Sequence, residues 1–218
     1  MFEKFAEASP VVWASVGALA VLGILLSVLT RGRRRVTTRA LVLGAMCVTL
    51  GFVLSFISLW HLPQGGSLTA ASMLPVMVFG WLFGPIWGLL AGLVYSVLQM
   101  IQEFWFVHPV QVLLDYVLAF MVLGLAGLMP MKKHPKLGLM VGIAIAGVLR
   151  YSCHVVSGVV YYYQYAYEAG LNPWVYSMGY NIFVLVELLL CEGIVSVPQV
   201  YRALAAQKRK LADPGIRG

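Results

Sequence analysis

HPVQVLLDYVLAFMVLGLAGLMP, residues 108–130, is long and apolar enough to cross a bilayer, yet it carries an acid, Asp115, inside the apolar run. About 20 apolar residues make a transmembrane helix. An acid within such a helix is costly, so it is expected to face protein or a cavity and to have a functional partner there. Two later stretches repeat the pattern. LRYSCHVVSGVVYYY (149–163) holds Arg150, His154 and Tyr161 to Tyr163, and NPWVYSMGYNIFVLVE (172–187) holds Tyr176, Tyr180, Asn181 and Glu187. Polar groups shared among three apolar segments predict a buried ligand pocket in an all-α membrane protein.

Composition agrees with that class. Of 218 residues, 61% are hydrophobic and 11% charged, with mean hydropathy +0.88, well outside the range of soluble domains. The net charge of +7 does not point to nucleic acid, because the Lys and Arg residues form short clusters between apolar spans, which is how topology is encoded. Cys47, Cys153 and Cys191 are odd in number, widely spaced and embedded in apolar runs, so they suggest neither a disulfide framework nor a metal site. No GxxxxGK[ST] loop is present, so any ATP hydrolysis must come from another chain. The four histidines show no HExxH spacing and Ser157 lacks a GxSG context, which argues against an enzyme and leaves no cofactor to expect.

The first apolar span covers residues 10–30, after a short start without a cleavage site, and is expected to be an uncleaved anchor. Six more follow at about 40–60, 68–83, 86–103, 110–131, 136–163 and 174–201, the second of them short and preceded by a Gly-rich loop. Of the 15 Lys and Arg residues, five lie at 31–39, three at 132–136 and five from 202 onward, whereas loops 61–67, 104–109 and 164–173 have none. Seven alternating spans put all three clusters on one side. The positive-inside rule makes that side the cytoplasm, with the N-terminus outside and the C-terminus inside. Small residues recur at helix-contact spacing in Gly84, Gly88 and Gly92, in Gly138 and Gly142, and in Ala40 and Gly44.

At roughly 1.5 Å per residue, Asp115, His154 and Asn181 lie at similar depths below the outer surface, so one outward-facing pocket can hold them all. Arg150, His154, Ser157 and Tyr161 share one helical face. Arg150 and Glu187 are equally deep and are expected to neutralise one another as a structural ion pair. Trp60, Trp105, Tyr116, Tyr162 and Tyr176 lie near the outer end. Beside a carboxylate, such rings suit a flat, positively charged organic ligand.

QVLLDYVLAF (111–120), RYSCHVVSGVVYY (150–162) and NPWVYSMGYN (172–181) together resemble the thiamine-specific substrate-binding (S) components of energy-coupling factor (ECF) transporters, the ThiT family, over residues 37–204. The resemblance implies a six-helix S-component bundle binding thiamine near the outer face of a bacterial or archaeal cell membrane, beneath the loop after the first family helix. Residues 1–36 then form an additional N-terminal transmembrane helix with a basic linker, and 205–218 a basic cytoplasmic tail. Carried onto this chain, Asp115 balances the thiazolium charge and Tyr116 lines the pocket beside it. His154, Tyr176 and Asn181 meet the pyrimidine and neighbouring groups, Trp60 stacks from the loop, and Trp105 and Tyr162 complete the aromatic walls. Asp115 stands where the family can carry Glu, which keeps the charge and shortens the reach. Tyr162 falls near a family Trp, while helical phase favours Tyr161, so both tyrosines are candidates.

Family S-components do not act alone. The resemblance implies docking, through small residues on the first family helix matched here by Ala40 and Gly44, on a transmembrane coupling protein served by two cytoplasmic ATPases. The alternatives are an S-component for another vitamin, a solitary proton-driven thiamine carrier, and a membrane enzyme.

Overall fold

A computed structural model describes residues 37–212 except 130 and 132; the expected span at 10–30, its basic linker and the last residues of the tail lie outside the described residues. Helix α1 (Thr38–Ser55) starts where the Thr37 side chain accepts the Ala40 N–H, capping an otherwise unpaired donor. Ala40, Gly44, Val48, Gly51 and Ser55 form its buried stripe, while Leu41, Met46, Leu50 and Val53 face outward. The expected span to residue 60 stops short. The Ser55 hydroxyl lies 2.6 Å from both the Phe52 carbonyl and Gln102 Oε1, with its one proton available to either, and the chain enters an antiparallel hairpin of β1 (Ser58–His61) and β2 (Ser67–Thr69), with Trp60 opposite Leu68. Its tip, Pro63–Gly65, is a single turn with left-handed backbone at Gln64 (φ 62°) and Gly65 (φ 84°).

Helix α2 (Leu74–Phe83) has ten residues, of which Pro75 through Trp81 are all buried. At about 15 Å it crosses about half a bilayer. Being apolar all round, it is a core element rather than a lipid-facing one. Gly84, at φ 100°, turns the chain directly into α3 (Pro85–Gln102). It serves this turn and also the packing expected from its spacing, since a Cβ on Gly127 would fall 3.0 Å from the Gly84 carbonyl carbon.

The remaining spans are α4 (Pro109–Leu128), α5 (Pro135–Tyr161) and the broken pair α7 (Pro173–Tyr180) and α8 (Ile182–Ser196), with the short α6 (Tyr163–Glu168) between α5 and α7. Among the described residues, five segments are long and apolar enough to span: α1, α3, α4, α5 and the α7–α8 pair. With the short α2 they make the expected six-segment bundle of a polytopic membrane protein. The last segment ends earlier than expected: Val197 and Pro198 break it, and α9 (Pro198–Ala212) continues as an amphipathic helix running past residue 204. Lys136 Nζ donates to the Ser196 carbonyl at the end of α8 (3.1 Å) and lies over the Tyr201 ring of α9, and Lys208 Nζ of α9 donates to the Trp81 carbonyl (2.9 Å), fastening α9 to the bundle.

Lipid tails are as apolar as Leu, so helices associate through close backbone contact rather than through the hydrophobic effect. Here α3 lies directly on α4. A Cβ on Gly88 would fall 2.6 Å from Gly124 Cα, and one on Gly92 2.8 Å from Met121 Cα. Gly142 similarly brings α5 onto Ala126 of α4. These contacts hold α4 in the middle of the bundle, with Asp115 near its N-terminal end.

Candidate functional site

Asp115 owes its position to an irregular helix. α4 begins as an α turn over Pro109–Val112, widens into a π turn over Leu113–Leu118 and tightens to 3₁₀ over Val122–Leu128. A π turn re-aims side chains, and such turns recur at functional sites. Here the consecutive residues Asp115 and Tyr116 both line a single cavity at the hairpin end of the bundle.

Three polar side chains converge on the Asp115 carboxylate. Gln111 Nε2 (2.9 Å) and the Ser157 hydroxyl (2.7 Å) donate to Oδ2, and His154 Nδ1 lies 3.0 Å from Oδ1. With its Nδ1 proton directed at Asp115, His154 is left with Nε2 for other use, and that atom is buried without a partner. The Asp115 and His154 side chains are 15% and 13% exposed. Gln111 and Ser157 are neutral donors, so they bring no positive charge of their own to the carboxylate.

Rings close round it. Trp105, Tyr116, Phe120, Tyr162, Tyr176, Tyr180 and Phe183 all line the cavity. Tyr176 and Tyr180 are near-parallel with centroids 6.3 Å apart, and Phe183 meets Tyr180 edge-on. Burial, and after it the Asp115 carboxylate, push the Tyr162 phenol above its ordinary range, so it presents a neutral ring. The Asn181 amide nitrogen donates to the Ser177 carbonyl (2.9 Å), which leaves its oxygen to face a ligand.

The deep end holds the expected ion pair. Arg150 Nη1 lies 3.7 Å from Glu187 Oε2, and the Thr69 and Ser72 hydroxyls reach Glu187 Oε1 at 2.6 and 3.1 Å. The Arg150 guanidinium sits over the Phe120 ring at 4.7 Å. Arg150, Thr69 and Ser72 also line the cavity, so Arg150 forms part of its wall with Glu187 behind it.

Of the expected pocket residues, Trp105, Asp115, Tyr116, His154, Tyr162, Tyr176 and Asn181 come together. Trp60 and Tyr161 do not. Trp60 lies on the outward side of β1 and is 68% exposed; the hairpin tip and β2 face the cavity in its place. Tyr161 is the last residue of α5 and stacks on His108 (5.0 Å, 16°). Tyr162 caps the helix with non-helical backbone, which breaks the phase that favoured Tyr161. Tyr180, singled out in the same apolar stretch as Tyr176 and Asn181, also lines the cavity, whereas sequence reading missed Gln99, Glu103, Gln111 and the hairpin residues Gln64–Ser67. Gln99 and Gln111, amides within apolar runs, were the available signals.

Ala40 and Gly44 turn inward, and a Cβ on Gly44 would stand 3.0 Å from the Phe79 ring. They form the floor of an apolar cleft between α1 and α3 whose rim includes Leu41, Ala45, Thr49 and Val94.

Residues 41–206 match the thiamine transporter protein family model, Thia_YuaJ. The chain is 31% identical over 159 residues to the thiamine transporter ThiT of Bacillus subtilis, covering 65% of this chain and 82% of that one. It is 28% identical over 171 residues to the ThiT of Lacticaseibacillus paracasei, covering 67% and 84% respectively. A solved structure of ThiT from Listeria monocytogenes superposes with a TM-score of 0.61 at 24% identity, over 74% of this chain and 96% of that one, and so shares its fold.

Proposed function

The chain belongs to the thiamine transporter protein family, and on that premise we propose that it is the thiamine-binding S-component of an ECF-type vitamin transporter. The observation that carries this reading is Asp115, an acid in an aromatic-lined membrane cavity whose nearest donors, Gln111 and Ser157, are neutral. The thiazolium ring is a planar, permanent cation. It suits a carboxylate flanked by rings, because ring faces attract positive charge in a desolvated site. The aminopyrimidine offers both donors and acceptors, to which His154 Nε2 and the Asn181 oxygen are chemically suited. The vitamin enters from outside, and the basic residues at the α5 start and along α9 mark the cytoplasmic end, with the C-terminus inside.

Asp115, Tyr116, His154, Trp105, Tyr162, Tyr176 and Asn181 are the binding residues. The chain has no phosphate-loop motif, and the work of transport falls to a coupling protein with two cytoplasmic ATPases. The apolar cleft floored by Ala40 and Gly44 is where the coupling protein docks, meeting the rim residues first because the two small residues are recessed.

The test is a tryptophan-fluorescence titration of the purified full chain in nanodiscs with thiamine, riboflavin and biotin. Saturable quenching by thiamine alone is expected. A folded protein that ignores thiamine and binds another vitamin would overturn the ligand. Uptake that persists in cells lacking every coupling ATPase would overturn the division of labour.

A further inference from the structure

Two strips of backbone roof the cavity, and each is held by one tyrosine hydroxyl. The hairpin tip is the first strip: Tyr180 Oη accepts the Gly66 N–H (3.2 Å) and donates to the Pro63 carbonyl. The α3–α4 connection is the second: Tyr116 Oη accepts the Trp105 N–H (2.8 Å) and donates to the Glu103 carbonyl (3.1 Å). The strips meet where Gly65 backs onto Trp105, a Cβ there lying 3.4 Å from Trp105 Cβ. Glycine at 66 leaves room for the Tyr180 contact, because a Cβ there would stand 2.6 Å from Tyr180 Oη and displace it.

A phenol has one proton to donate. In both tyrosines that proton goes to backbone, while the ring faces the cavity. We propose that the Tyr180 and Tyr116 hydroxyls are paired latches of the roof, which set how fast ligand enters and leaves while the rings set how tightly it is held. Removing a hydroxyl raises the fraction of time the roof is open. If the latch is equally strong with and without ligand, entry and exit accelerate together and the equilibrium does not move. Hydrogen bonds of this kind contribute about 1 kcal/mol each, so loss of the two made by one hydroxyl gives about a thirtyfold gain in both rates. The argument rests on the thiamine reading only for its choice of ligand.

Stopped-flow fluorescence of the full chain with thiamine tests it, comparing wild type with Tyr180→Phe, Tyr116→Phe and the double variant. Tyr151→Phe serves as control, because its hydroxyl donates to the Met178 carbonyl outside the cavity. The expected result is association and dissociation both about thirtyfold faster in Tyr180→Phe, with its affinity within about threefold and the control unchanged, and faster association in Tyr116→Phe as well. Unchanged rates overturn the latch, and so does faster dissociation with unchanged association, which would mean that the hydroxyl binds ligand directly. Amide hydrogen exchange at Gly66 and Trp105 decides the matter without ligand. Faster exchange at Gly66 in Tyr180→Phe and at Trp105 in Tyr116→Phe, with the α5 core unaffected, supports the latch, and unaltered exchange overturns it. Failure of wild type to bind thiamine would sink the ligand reading and leave this second result standing.

Discussion

His154 Nδ1 sits 3.0 Å from Asp115 Oδ1, so α5 supplies the group that orients the acid of α4, although the two residues are 39 positions apart. The contact fixes the histidine ring and directs its other nitrogen away from the acid. Asp115→Asn keeps the shape and removes the charge. Its thiamine affinity is expected to fall about tenfold to a hundredfold, the range for losing a charge-assisted contact in a partly buried site. Ser157→Ala removes only one neutral donor and is expected to cost less than about tenfold. Equal losses in the two variants, read by titration calorimetry, would show that the charge at Asp115 is not what holds the ligand.

The Arg150 and Glu187 pair makes a different demand, because both side chains are buried, at 6% and 0% exposure. Removing one partner of a buried pair strands the other, at about 3–5 kcal/mol, whereas replacing both with apolar residues is often neutral. Arg150→Met and Glu187→Leu are each expected to lower the melting temperature sharply in detergent, and the double variant to recover most of the loss. Additive losses in the double variant would show that the two residues act separately.

How much of this was legible depends on what each residue's signal is. Asp115, His154 and Asn181 could be read because a polar group in a long apolar helix is rare, and equal depths place such groups together. The roof could not be read this way. Ile57, Leu59 and Trp60 continue the apolar run of α1, so hydropathy sees one long span where the chain makes a hairpin, and PQGG was the only turn signal. The π turn at Asp115 is a local change of register invisible to a 3.6-residue period, and the same kind of local break moved the aromatic wall from Tyr161 to Tyr162. The small-residue spacing identified Gly84, Gly88, Gly92 and Gly142 as contacts, but spacing alone could not show that Gly84 also makes a turn.

Gly88 is the sharpest test of the packing. Its neighbours are backbone, with Gly124 Cα 2.6 Å and Gly80 Cα 2.8 Å from an added Cβ, so no side chain can swing aside and three helices must part. Gly88→Val is expected to abolish the folded monomer on size exclusion, whereas Gly193→Val, which meets nothing within 4 Å, is expected to behave as wild type. Similar yields for the two would mean that the α3–α4 contact is looser than described.

At the opposite end from the site, Lys208 lies over the Trp81 ring at 3.6 Å and donates to the Trp81 carbonyl, joining α9 to the buried α2. Burial lowers its ammonium from the usual 10.5 to about 8. Between those values the unfolded chain keeps a proton that the folded chain has released, so this group's contribution to stability rises with pH across that window. Below about pH 8 both states are protonated, and the full cost of burying the charge is present. Thermal melts of wild type between about pH 7 and 10 are therefore expected to shift upward relative to Lys208→Met, which has no proton to release. Because the amine is half-exposed, the shift is expected to be small. Parallel pH profiles for the two proteins would show that Lys208 keeps its charge on the Trp81 face throughout, with the ring and the carbonyl offsetting the desolvation.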